Sequence, residues 1–256
     1  MNHDGKPAMG GLNEPFPNTR WSLIVRAATL DPARRREAVG DLFSGYSKPV
    51  YWYLRRKGHN HQDAEELAQG FFSDKVLGHG LAERADPTRG KFRTFLLTAL
   101  DNYAKDVHRR QSAGKRSPEG GVARLDAMGA PAISDPLQAT PEEAFHYAWA
   151  SKLLDEALAD LEQECRSGGK EVHWAVFRAR LLLPIREGAE PPSLSALCAE
   201  HGIADEKTAS NMVITVKRRF QTAFRRRIRE TVSSDEEIDA EIRDLMEILG
   251  RGGAAS

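Results

Sequence analysis

Two sets of side chains in this sequence have the types and spacing needed to hold a nucleic acid. In the first, Phe92, Phe95 and Tyr103 are interleaved with Lys91, Arg93, Lys105, Arg109 and Arg110. Aromatic faces stack on unpaired bases while neighbouring cations hold the phosphates of the same strand. Taken singly, each ring is more simply a core residue, and it is the interleaving that points to a strand. In the second set, Lys207, Ser210, Asn211, Lys217 and Arg218 share one face of a segment whose other face is Ala209, Met212, Val213, Val216 and Phe220. An Asn can read adenine and a Lys guanine in a major groove, with the later cations meeting phosphates.

Helices must position both sets. Strand signals are scarce and the apolar periodicity is helical, so the sequence predicts an all-α chain of two helical domains joined by a flexible linker. The second of these ends in a helix-turn-helix. Residues 1–18, rich in Gly, Pro and Asn, are expected to be disordered. The first domain covers 19–112, with Thr19 capping a helix that carries Trp21, Leu23 and Ile24. Asp31-Pro32 opens the next helix, with Pro in the first turn where its missing N–H costs nothing. A third starts at Asp63 and turns Ala64, Leu67, Ala68, Phe71 and Phe72 inward, and Phe92 to Arg110 reads as one long helix.

Residues 113–140 are too rich in Gly and Pro, for too long, to belong to a compact domain, and they read as the linker. The second domain covers 141–231 and begins with the capping box Thr140-Pro141-Glu142-Glu143. Trp149 and Trp174 are expected in its core. Ser193 caps a short helix, Gly202 supplies a turn that favours positive φ, and Glu206 begins the candidate recognition helix. Residues 232–256 form an acidic helix and tail, capped by Ser234, with an apolar stripe of Ile238, Ile242, Leu245 and Leu249.

Net charge says nothing about partners, because Lys+Arg and Asp+Glu both total 37. Distribution does. Seven cations fall between residues 91 and 116 against two acids, and seven between 217 and 229 against none. Eight acids then fall between 230 and 247 against Arg243 alone. Basic blocks beside an acidic tail suggest a polyanionic partner and a masking segment. The tail has two readings: it packs on the second domain, or it competes with DNA for the basic stretch 217–229.

Other chemistries find little support. Cys165 and Cys198 are isolated, so no zinc ribbon or redox pair is expected, and a reducing cytoplasm fits. His59 and His61 have no further ligands placed beside them, so no metal and no cofactor is expected. No carboxylate cluster, phosphate-cradling Gly loop or nucleophile-base pair suggests an enzyme, and no catalytic residue is assigned. No apolar run approaches the roughly 20 residues of a membrane span, and there is no signal-peptide core.

The stretch Asp63-Ala64-Glu65-Glu66-Leu67-Ala68-Gln69-Gly70-Phe71-Phe72, followed by Phe92-Arg93-Thr94-Phe95-Leu96-Leu97 and then by Asn102, Asp106, Arg109 and Arg110, resembles the extracytoplasmic-function (ECF) type of bacterial RNA polymerase sigma factor. The resemblance runs from about residue 19 to residue 230. It implies a sigma-two-like domain over 19–112 and a sigma-four-like domain over 141–231. Asp63, Glu66 and Gln69 would bind the β′ clamp helices of core RNA polymerase, with β also a partner. Many members carry an acid after the Gln, where this chain has Gly70. Residues 85–91 would capture a flipped −10 base, with Asn102 nearby, and Arg89, Lys91, Phe92, Arg93, Lys105, Arg109 and Arg110 would hold the −10 strand. Lys207, Ser210, Asn211, Lys217 and Arg218 would read the −35 duplex. An anti-sigma factor is a possible partner. The alternatives are a helix-turn-helix regulator that never touches polymerase, a nuclease, and an all-α scaffold. The regulator has no use for the acidic helix at Asp63.

Overall fold

The computed structural model describes residues 23–24, 31–77, 81, 84, 86, 90–114, 140–232 and 234–253. The first long helix, α1 (Pro32–Arg56), starts as its sequence dictates. The Asp31 carboxylate accepts from the N–H of Ala33 at 2.9 Å, and Pro32 occupies the first turn. Its buried face carries Ala38, Leu42, Tyr46, Val50, Tyr53 and Leu54, three and four residues apart. The helix α2 (His61–Phe71) begins two residues before the expected Asp63. Asn60 is the cap, and its side-chain oxygen accepts from the Asp63 N–H at 2.8 Å. A π-helical turn, Phe72–Leu77, prolongs α2 and keeps Phe72 and Val76 buried. The basic helix α3 (Phe92–Gly114) buries Leu96, Leu100 and Tyr103.

The second half opens with α4 (Pro141–Ser167), whose capping box is complete: Thr140 Oγ1 accepts from the Glu143 N–H, and the Glu143 carboxylate accepts from the Thr140 N–H at 2.8 Å. Then come α5 (Glu171–Phe177), a π-helical turn (Arg178–Leu182), and the short α6 (Leu183–Glu187). Next are α7 (Leu194–His201) and α8 (Glu206–Arg229). Ser193 Oγ accepts from the Ala196 N–H, Gly202 closes α7 at φ 64°, and Asp205 caps α8. Ser234 does not cap the last helix as expected. It precedes a 3₁₀ turn (Asp235–Glu237) without a side-chain cap, and α9 (Ile238–Gly253) follows. The described residues contain no strand, so the fold is all-α.

The two halves are packed on each other along α1 and α4. Tyr46 lies between Phe92 of its own half, at 5.4 Å, and Phe145 of the other, at 6.5 Å. One apolar core runs from Leu42, Phe71 and Leu100 through Phe145, Leu153 and Phe224 to Ile238 and Leu245 on α9. A second, smaller core gathers Leu158, Leu161, Cys165, Trp174, Phe177 and Val216. Trp174 therefore sits where the sequence predicts. Trp149 is buried too, but at the junction between halves, because α4 turns that face toward α1 and α3. The expected linker lies almost wholly outside the described residues, as do the expected disordered N-terminus and Thr19 with its cap.

Candidate nucleic-acid interface

Asp63, Glu66 and Gln69 are exposed on one side of α2, opposite the buried Ala64, Ala68 and Phe71. Steps of three residues align them. The Asp63 carboxylate accepts from the Asn60 amide at 2.8 Å, and Glu66 accepts from Gln62 at 2.9 Å. Gly70, next in line, has a packing reason. A Cβ there would stand 2.5 Å from the Tyr103 hydroxyl, which donates to Asp74 at 3.2 Å. The Tyr103 ring is buried against Phe71 and has little room to retreat.

The first set of cations divides along α3. At its C-terminal side Asn102, Lys105, Arg109 and Arg110 are exposed. Lys105 pairs with Asp101 at 2.6 Å, and this contact is the main cause holding the Asp101 carboxyl below its usual range. Arg109 pairs with Asp106 at 2.7 Å. At the N-terminal end the arrangement is closed. Phe92 is only 2% exposed and serves the core, and Phe95 is half-buried against it. Arg93 is 6% exposed, with its guanidinium 4.6 Å from the centre of the Trp149 ring. Glu241 of α9 is ion-paired with both Arg93 and Lys91, and Asp244 also pairs with Lys91. The Lys91 ammonium holds the Asp244 carboxyl below its usual range. Burial, with Arg93 and Lys91 nearby, pushes the His146 imidazole down to about 4. About 18 Å of helix, at 1.5 Å per residue, separates Arg93 from Lys105, so the two ends of α3 are distinct sites. Arg89 lies outside the described residues.

The second set is open. Lys207, Asn211, Lys217 and Arg218 are exposed along α8, Ser210 is half-buried, and Ala209 and Val216 face inward. The later arginines of this helix have structural partners. Arg227 forms a two-pronged bond to Asp160 on α4 at 2.8 and 2.9 Å, and Arg226 pairs with Glu164 at 3.2 Å. Arg225 and Arg229 pair with Asp239 and Asp235, just ahead of or within α9. Tail acids thus pair with the far end of the basic stretch 217–229, at Arg225 and Arg229, and with Lys91 and Arg93.

Glu241 and Asp244 take part without being expected here, and Trp149, expected only in a core, also meets Arg93. A signal existed: Glu241 falls three residues after Ile238 and four before Leu245, inside the apolar stripe. Among the described residues no group of His, Cys, Asp and Glu could hold a metal. His61 meets the Tyr51 hydroxyl through Nδ1 at 2.9 Å. No described helix is long and apolar enough to cross a membrane.

The fold and these faces define an all-helical protein with an exposed acidic helix and exposed cations on both α3 and α8. Residues 42–114, from the middle of α1 through α3, match the family model for Sigma-70 region 2. That match supports a sigma factor of the sigma-70 family, whose members act in transcription initiation rather than as enzymes, and it implies core RNA polymerase and promoter DNA as partners. No curated protein and no solved structure matches the chain.

Proposed function

We propose that this protein is a cytoplasmic sigma factor of the ECF type. The observation that supports the sigma-factor reading is the region 2 match over residues 42–114, and the ECF type rests on the motifs at 63–72 and 92–97. The exposure of Asp63, Glu66 and Gln69 on α2 supports their docking on the β′ clamp helices. In this reading the N-terminal part of α3 and the loop before it take the −10 element as an open strand. The pair α7–α8 is a helix-turn-helix that reads the −35 duplex with Lys207, Ser210, Asn211, Lys217 and Arg218. Each contact alone is weak. Tethering both to one polymerase makes the second contact intramolecular and multiplies affinity. Flipping a base costs a few kcal/mol, so a selective pocket converts that cost into specificity. An anti-sigma factor is a further partner consistent with this design.

The test is transcription in vitro by bacterial core polymerase on pooled genomic DNA, with and without the protein. New start sites sharing two upstream elements are expected, and they should vanish when Asp63, Glu66 and Gln69 are changed to Ala. Salt-sensitive duplex binding without new start sites would instead favour a helix-turn-helix regulator that does not bind polymerase.

A further inference from the structure

Three parts of the chain converge at the N-terminal end of α3. Arg93 lies against Trp149 from α4 and is ion-paired with Glu241 from α9. Lys91 meets the other Glu241 oxygen at 2.6 Å and also pairs with Asp244. Glu241 is 1% exposed. A carboxylate is expensive to bury, and the apolar Ile238 and Leu245 beside it show that α9 needs no charge there to pack. Its position is explained by the two cations it neutralises. Two carboxylates, one helical turn apart, sit on side chains that would otherwise hold phosphates.

We infer that α9 is an internal competitor of DNA, which occupies Lys91 and Arg93 and closes the second half over the first. The inference rests on the proposed assignment of these two cations to the −10 strand. Trp149 completes the closure, because the ring that covers Arg93 belongs to the opposite half. Arg225 pairs with Asp239 at 2.5 Å and Arg229 with Asp235, which ties the start of the tail to the end of α8. The tail therefore travels with the second half, and separation of the halves withdraws it from α3. Both Glu241 oxygens are engaged in ion pairs, one with each cation. Phosphates can replace such a contact. Lys207, Asn211, Lys217 and Arg218 remain exposed in the same state. The closed chain occupies Lys91 and Arg93 at one end of α3 and leaves Lys105, Arg109, Arg110 and the duplex-reading face exposed.

The decisive variant is Glu241→Gln with Asp244→Asn in the full chain, which removes charge but keeps the apolar stripe. Binding of a fluorescent, mixed-sequence single-stranded DNA oligonucleotide is measured by anisotropy, and loosening of α9 by amide hydrogen exchange. The variant should show faster exchange in α9 and at least tenfold tighter DNA binding than the unsubstituted chain. Adding Lys91→Ala and Arg93→Ala should cancel the gain. Unchanged DNA affinity with a loosened α9 would overturn the inference, and so would an α9 as protected as in the unsubstituted chain. A variant that gains DNA affinity but gives no new start sites with core polymerase keeps the internal competitor and sinks the sigma-factor reading. Start sites without any gain in DNA affinity would do the reverse.

Discussion

Glu241 and Arg93 form an ion pair inside the protein, with the carboxylate 1% and the arginine 6% exposed. Removing one partner of a buried pair strands the other charge, at a cost of about 3–5 kcal/mol. Glu241→Ala should therefore lower stability by up to about that amount, with the free energy of opening the junction as the ceiling. Combining Arg93→Met with Glu241→Leu should recover most of the loss, since apolar residues of similar size often replace such pairs without cost. Urea midpoints of the three chains check this. Equal losses for the single and the paired change would contradict it.

Gly70 and Tyr103 give a second prediction. In an open helix Gly70→Ala would stabilise by up to about 1 kcal/mol. Here the new Cβ meets the Tyr103 hydroxyl at 2.5 Å, and the hydroxyl's bond to Asp74 resists its displacement. The substitution should be destabilising. In a Tyr103→Phe background the same change should become neutral or favourable. Thermal unfolding of the four chains closes the cycle, and a sign that does not reverse would remove the packing explanation for the glycine.

The α2 face should separate stability from binding. Asp63, Glu66 and Gln69 are exposed, and only Asp63 lies in the first turn, where a negative charge contributes about 0.3–1 kcal/mol. The triple alanine variant should unfold within about 1 kcal/mol of the parent while losing at least tenfold in affinity for core polymerase. A pull-down titration against core enzyme measures the second quantity. Retained affinity would reassign this face.

Two kinds of cation on α8 should behave oppositely. Arg227 is held by Asp160, and its loss should cost about 1–3 kcal/mol of stability. Lys217→Ala and Arg218→Ala should leave stability unchanged and each reduce the salt slope of duplex binding by about 1. If Arg227→Ala also lowered the slope with no loss of stability, the division of labour along α8 would be wrong.

His146 supplies a pH dependence. Its folded pKa is pushed down to about 4 by burial first and then by Arg93 and Lys91, against the opposing pull of Glu142. An unfolded imidazole titrates near 6.5. The unfolded chain therefore binds the proton more readily, and stability present above pH 6.5 is lost as pH falls toward 4. Urea midpoints should fall between pH 7.5 and 5, and less steeply in His146→Gln. Parallel pH profiles would show that the imidazole is not the cause.

The helices were legible because their signals are local. Asp31-Pro32, the capping box at Thr140 and the Ser193 cap all act within four residues, and each forms as read. The helix expected to start at Asp63 starts two residues earlier, because Asn60 supplies the cap and both Asn60 and Asp63 are residue types that can open a helix. Partners far apart in the chain were not legible. Nothing near Trp149 announces Arg93, and the acids of the tail could be assigned to any basic stretch until α9 was placed. The basic end of α8 shows the same limit: charge density identified the stretch, but the acids that neutralise Arg226 and Arg227 lie on α4.

Tyr46, held between Phe92 and Phe145, has a consequence for the life of the molecule. The seam between the halves is made of rings and aliphatic chains, so an opened copy in water carries a sticky face with no cover of its own. Under the proposed reading, any surface that takes the opened chain would have to cover this apolar seam as well as meet the freed cations, so opening without a partner would be costly in water.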